Sequence, residues 1–78
     1  MTDLTNYTIE QRREAINQVI YSERDRRVLE LRLIYGWGYK EIGAEVKLEV
    51  RQVGRVLSKG CATVGEYLAK KKKRWWKW

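Results

Sequence analysis

Arg51, Gln52 and Arg55 are the side chains of this chain best suited to directed recognition chemistry. A guanidinium presents a planar fork of N–H donors, and a carboxamide offers a donor beside an acceptor. Those are the groups that pair with guanine and adenine edges in a DNA major groove, while Val50 has the apolar character to meet a thymine methyl. Covalent chemistry has no comparable basis. The chain contains no His, the commonest general base and metal ligand. Ser22 and Ser58 therefore lack an activating partner, the carboxylates are scattered, and no glycine-rich phosphate loop follows a strand. The single Cys61 can form neither an intramolecular disulfide nor a zinc cluster. With no nucleophile–base pair to assemble, the sequence predicts a non-enzyme that requires no metal or cofactor.

The elements that must position Arg51, Gln52 and Arg55 are written in residues 39–57, YKEIGAEVKLEVRQVGRVL. Ile42 and Val46 share one face of a first short helix, and Val53 and Val56 share one face of a second. Leu48 falls at the corner, and Gly43 has no side chain where the second helix presses closest. This spacing predicts a helix-turn-helix, whose second helix, about 49–58, is the usual major-groove reader. Arg51, Gln52 and Arg55 lie opposite its apolar face. Tyr39 and Lys40 open the first helix, where helix-turn-helix proteins meet the phosphate backbone, and Lys47 and Lys59 are assigned to backbone phosphates as well.

The stretch Ser22–Leu57 resembles the promoter-reading fourth region of bacterial sigma factors and related small phage and bacterial regulators. Glu23, Arg24, Arg27, Val28, Leu29, Leu31, Arg32, Gly36, Tyr39, Glu41, Ile42, Val53, Leu57 and Ser58 stand in register with that family's pattern. The resemblance covers about half of the chain. It departs at Lys47, where the family's turn often has Gly, at Glu49, where Ser or Thr usually caps the reading helix, and at Gly54, often a longer polar residue. Nothing matches the upstream polymerase-binding regions of a complete sigma factor. The resemblance implies DNA reading from the same face, with Arg51 and Arg55 the strongest matches in location.

Two further helices precede this pair. Thr8 with Gln11 forms a capping box, so a helix is expected over about Ile9–Ile20, with Ile9, Ile16, Val19 and Ile20 buried and Arg12, Arg13 and Gln18 in water. Leu4 and Tyr7 are expected to fold back onto the core. Ser22 caps a second helix that runs to about Tyr35 and stops at Gly36, with apolar residues on more than one stripe. Trp37 is expected to pack over its end. The reading helix extends its apolar stripe through Leu57, Cys61, Val64 and Leu68 to about Lys70, with a break expected near Ser58–Gly60 and a helix crossing at Gly60 or Gly65. The fold class is all-α: a small four-helix domain over 1–69 with a basic, Trp-rich tail.

The net charge of +7 is uneven. Lys70, Lys71, Lys72, Lys73, Arg74 and Lys77 supply six positive charges without an acid among them, so the preceding body is almost neutral. The tail, KKKKRWWKW, lacks a helical apolar period and is expected to be a flexible extension. It is open to three readings: a solubilising end; a nucleic-acid arm, with cations on phosphate and Trp75, Trp76 and Trp78 stacked on bases or in a groove; or a membrane-surface anchor. The N-terminus lacks the apolar stretch of a signal peptide, and no apolar run approaches a membrane span, so a cytoplasmic bacterial or phage protein is expected. The sequence thus points to a double-stranded DNA-binding regulator of transcription that works as a monomer or homodimer. Its rival is a sigma-like interaction module contacting RNA polymerase or another protein. Val53→Asp should abolish cooperative unfolding and helicity by circular dichroism, because it buries an unpaired charge where the last two helices meet. Unchanged helicity and melting temperature would contradict the pattern.

Overall fold

In the computed structural model the described residues are Leu4 and 7–75, with side chains through Lys71. Among them are four helices and no strand: α1 (Ile9–Val19), α2 (Glu23–Leu33), α3 (Tyr39–Val46) and α4 (Val50–Trp75).

Each helix starts where a polar side chain can satisfy orphan amides. At α1 the capping box is complete: the Gln11 N–H donates to Thr8 Oγ1 at 3.0 Å and the Thr8 N–H donates to Gln11 Oε1 at 2.9 Å. At α2 the Asp25 N–H donates to Ser22 Oγ at 3.4 Å. At α3 and α4 the third residue reaches back, the Gly38 N–H donating to Glu41 Oε1 at 3.1 Å and the Glu49 N–H to Gln52 Oε1 at 2.9 Å.

α2 ends at Leu33, two residues short of the expected Tyr35. Gly36 adopts a left-handed φ of 73°, which lets the Trp37 N–H fold back and donate to Leu31 O at 2.9 Å. Arg12 of α1 donates to Leu33 O, and Arg32 donates to Trp37 O at 3.0 Å. Arg12 is therefore half-buried and structural, where the sequence placed it in water. Trp37 packs, half-buried, against the core as expected.

α4 is continuous through Ser58–Gly60 and extends past Lys70 to Trp75. The glycines do not break it because neighbours cover them. The Tyr39 ring lies 3.7 Å from where a Cβ on Gly54 would be, and the Leu29 side chain fills the space over Gly60. The basic run needs no apolar period to stay helical. Lys and Arg are good helix formers, extension of an existing helix avoids the nucleation cost, and cations suit the negative end of the dipole.

The core is one stripe of α4 covered by three helices. Val53, Leu57, Cys61, Val64 and Leu68 are buried together with Ala15 and Ile16 of α1, Val28, Leu29 and Leu31 of α2, Ile42 of α3, and Ile20. Leu4 folds onto this cluster as expected, with Tyr7 half-buried beside it. Val46, Leu48 and Val56, expected to be buried, are half-buried, because they lie at the margin of the α3–α4 contact rather than along the stripe. Ile9, at the outer end of α1, is 48% exposed and does not join the core, and Tyr35, beyond the end of α2, is exposed too.

Three glycines of α3 and α4 separate propensity from packing. Gly54→Ala adds a Cβ at ordinary contact distance and should raise stability by up to about 1 kcal/mol through helix propensity. Gly60→Ala and Gly43→Ala should lower it despite the same propensity gain. The added Cβ would sit 2.5 Å from Leu29 Cδ1 or from the Leu48 carbonyl oxygen, and overpacking of this kind costs roughly 1–3 kcal/mol. Thermal melts should show Gly54→Ala above wild type and the other two below it.

Candidate nucleic-acid interface

The geometry starts at the end of α3. Lys47 takes a left-handed conformation with φ 61° and ψ 45°, and its N–H donates to Gly43 O. The Leu48 N–H donates to the same carbonyl at 2.9 Å. Two amides on one acceptor draw the turn against α3, so close that a Gly43 Cβ would strike the Leu48 carbonyl. α4 begins at Val50, with Val53 packed beneath Gly43. A non-glycine residue in this conformation costs roughly 1–2 kcal/mol, so Lys47 is held there by its surroundings.

Beyond the turn, Arg51, Gln52, Arg55 and Lys59 are exposed on the side of α4 opposite Val53, Leu57 and Cys61. Arg51, Arg55 and Lys59 succeed one another at one-turn intervals, so their charges form a single row. None of these three forms an ion pair among the described residues. The arginines of α2 are engaged instead: Arg24 with Asp25 at 3.5 Å and Arg27 with Glu45 of α3 at 3.3 Å. The Arg32 guanidinium stands 5.2 Å from the Tyr39 ring centre. Glu30 of α2 pairs with Arg13 of α1 at 3.6 Å.

The other site residues divide by what already holds them. Gln52 spends its carbonyl oxygen on the Glu49 amide, which leaves the NH₂ as its outward group. Val50 is 50% exposed, yet its register follows the buried stripe of Val53 and Leu57 rather than the arginine row. Tyr39 is half-buried between Arg32 and Gly54, so its ring acts first in packing. Lys40 and Lys47 are exposed, one at the start of α3 and the other at the turn. Lys70 is exposed, and Lys71 is half-buried with its ammonium 5.7 Å from the Tyr67 ring centre. Lys72, Lys73, Arg74 and Trp75 continue the α4 backbone, while Trp76, Lys77 and Trp78 lie outside the described residues.

One feature of the surface is absent from the sequence reading. Arg55, Val56 and Lys59 form one wall of a groove of about 400 Å³ whose other wall is Ile20, Tyr21, Ser22 and Asp25, at the α1–α2 corner. The start of α2 thereby shares a surface with the middle of α4. The Ser22 cap is legible locally, but nothing in the chain's periodicity pairs it with residues more than thirty positions on. Asp25 tempers the positive character of this groove, and Glu49 does the same at the start of the arginine row.

No group of three or more metal-ligating side chains occurs among the described residues, and no helix among them is long and apolar enough to cross a membrane. Comparison with protein-family models, curated proteins and solved structures finds no match.

Cys61 is buried, and burial pushes its thiol above the ordinary range, partly offset by the Arg32 cation. The folded thiol therefore holds its proton more tightly than the unfolded one. Its contribution to stability is intact below the unfolded thiol's range and is lost as pH rises through the raised value. An aromatic disulfide reagent should react slowly with the native chain at neutral pH and completely once denaturant is added. Fast native reaction would place Cys61 outside the core.

Proposed function

We propose that this chain binds double-stranded DNA with sequence preference and regulates transcription. α3, the Lys47–Glu49 turn and α4 serve as a helix-turn-helix of the kind found in the fourth region of bacterial sigma factors. The observation that carries the proposal is the row Arg51, Arg55 and Lys59, exposed and, among the described residues, without ion-pair partners beside a conformationally fixed turn. A guanidinium held by a helix can pair bidentately with guanine, and the Gln52 NH₂ remains available as a donor. Lys40, Lys47 and Lys59 suit phosphates at the groove margins. A cytoplasmic setting, in a bacterium or in a phage's host, follows from that role, and a homodimer would present two reading helices to two half-sites.

The groove favours one rival. Its apolar residues Ile20, Leu29 and Val56, with Tyr21 85% exposed at the rim, suit a protein segment. That is the interaction-module reading, with RNA polymerase or another protein as partner. DNA is preferred because the arginine row has no ion-pair partner among the described residues.

Selection of bound sequences from a random duplex pool supplies the site for the test. Arg51→Ala and Arg55→Ala should each weaken binding to the selected site by roughly 1–3 kcal/mol and relax specificity at one position. Their melting temperatures should stay near wild type, since both side chains are exposed. Equal losses on selected and random DNA would reduce both arginines to phosphate contacts, and no enrichment from the pool would favour the protein-interaction reading. Glu49→Gln should tighten binding at low salt by removing a carboxylate beside the phosphates, with the gain fading as salt screens it.

A further inference from the structure

The extension of α4 changes what its basic end can reach. The arginine row and the lysine run belong to one unbroken helix, Val50–Trp75. From Arg55 to Lys72 the axis advances about 25 Å at about 1.5 Å per residue. The molecule's longest dimension is 43 Å against 20 and 19 Å across, so the two cationic segments are far apart on its scale. A major groove is about 12 Å wide and 8.5 Å deep. A straight helix seated in it by Arg51 and Arg55 leaves a convex duplex within a few turns. Lysines on a loose arm could fold back to the same DNA, but lysines on the helix itself cannot.

The run is also unlike a membrane-surface helix. Lys70, Lys71, Lys72, Lys73 and Arg74 are consecutive, with no apolar residue among them to supply an apolar stripe. A helix that lies in a bilayer interface needs segregated faces. An uninterrupted block of five cations suits a polyanion. Lys71 over the Tyr67 ring joins the base of this segment to the preceding turn of α4, where Tyr67 packs against the core.

We propose that Lys70–Arg74 form a second DNA-backbone site, which engages a different duplex, or a distant part of the same molecule, from that held by Arg51 and Arg55. One chain would then bridge two DNA segments. The first contact rests on the function proposed above; the second rests on the helix geometry and charge alone.

The test uses the full chain with a mixture of two short random-sequence duplexes, one carrying a donor dye and the other an acceptor. Energy transfer between duplexes should appear on adding protein, pass through a maximum and decline in protein excess, when each duplex captures its own chains. Replacing Lys70, Lys71, Lys72, Lys73 and Arg74 with Gln keeps helix propensity. This variant should retain a gel shift on a single duplex and reduce energy transfer to the level of the duplex mixture without protein. R51A/R55A should also lose energy transfer while retaining weak, salt-sensitive binding through the lysines. If R51A/R55A binds and bridges like wild type, the reading-face assignment fails and the lysine site stands only if the Gln variant loses bridging. Bridging by the Gln variant equal to wild type overturns the proposal, whether a dimer or another surface is responsible. Energy transfer in a control duplex carrying both dyes, with none between the separately labelled duplexes, would replace bridging with DNA bending and also overturn it. So would a chain that pelleted with anionic phosphatidylserine vesicles without joining duplexes.

Discussion

The contact on which this surface depends is between the Gly43 carbonyl and the two amides of Lys47 and Leu48. It closes α3 and reverses the chain without a long loop. Because a Cβ at Gly43 has no room beside the Leu48 carbonyl, the approach is available only to glycine. The close turn lets Val53 reach the core in the first turn of α4. Once Val53 faces inward, helical periodicity leaves Arg51, Arg55 and Lys59 facing outward. The orientation of the row thus follows from a backbone contact rather than from any attraction among the charged side chains. Lys47 bears the conformational cost of the reversal, and its side chain is exposed.

α4 does two jobs that conflict in most short helices. Its stripe from Val53 to Leu68 is the floor of the core, covered by α1, α2 and α3, while its opposite side carries the arginine row. Glycine at positions 54 and 60 weakens the helix by intrinsic propensity, but at each the missing side chain is replaced by a neighbour, Tyr39 or Leu29. Gly60 lets α2 lie close against α4. That closeness brings the α1–α2 corner to Arg55 and Lys59 and forms the groove between them. The surface assigned to DNA and the surface favoured by the rival reading therefore meet at Arg55, and a protein seated in the groove would compete with DNA for it.

Much of this was legible in the sequence because it is local. The Thr8–Gln11 capping box, the Ser22 cap, the Gly36 stop, the bounds of α3 and the inward positions Ile16, Ile20, Ile42, Val53 and Leu57 all follow from caps, glycines and period. The Gln52 bond to Glu49 has the same sequence form, a Gln three residues after the cap position, but it was obscured by reading Gln52 as a base contact. What was not legible depends on tertiary placement. Whether Gly54 and Gly60 break α4 depends on residues far away in the chain that cover them. Val46, Leu48 and Val56 have core-like character and spacing, but their exposure depends on how far neighbouring helices extend over them. The basic run shows that lack of an apolar period excludes an amphipathic face, not a helix. The resemblance to the sigma-factor region points to the same arginines as the periodicity does.

The measurement that bears most directly on the central claim is amide mapping by NMR during titration with a random-sequence duplex at low and moderate salt. If the outward face of α4 meets DNA, the largest shifts should fall at Lys47–Lys59 and at the start of α3, and they should persist at moderate salt when the selected site replaces random sequence. The buried face of α1 and the α2 residues Val28–Leu31 should be little changed. Shifts confined to the segment from Lys70 onward, with Arg51 and Arg55 unaffected on every duplex, would contradict the claim that this row reads DNA.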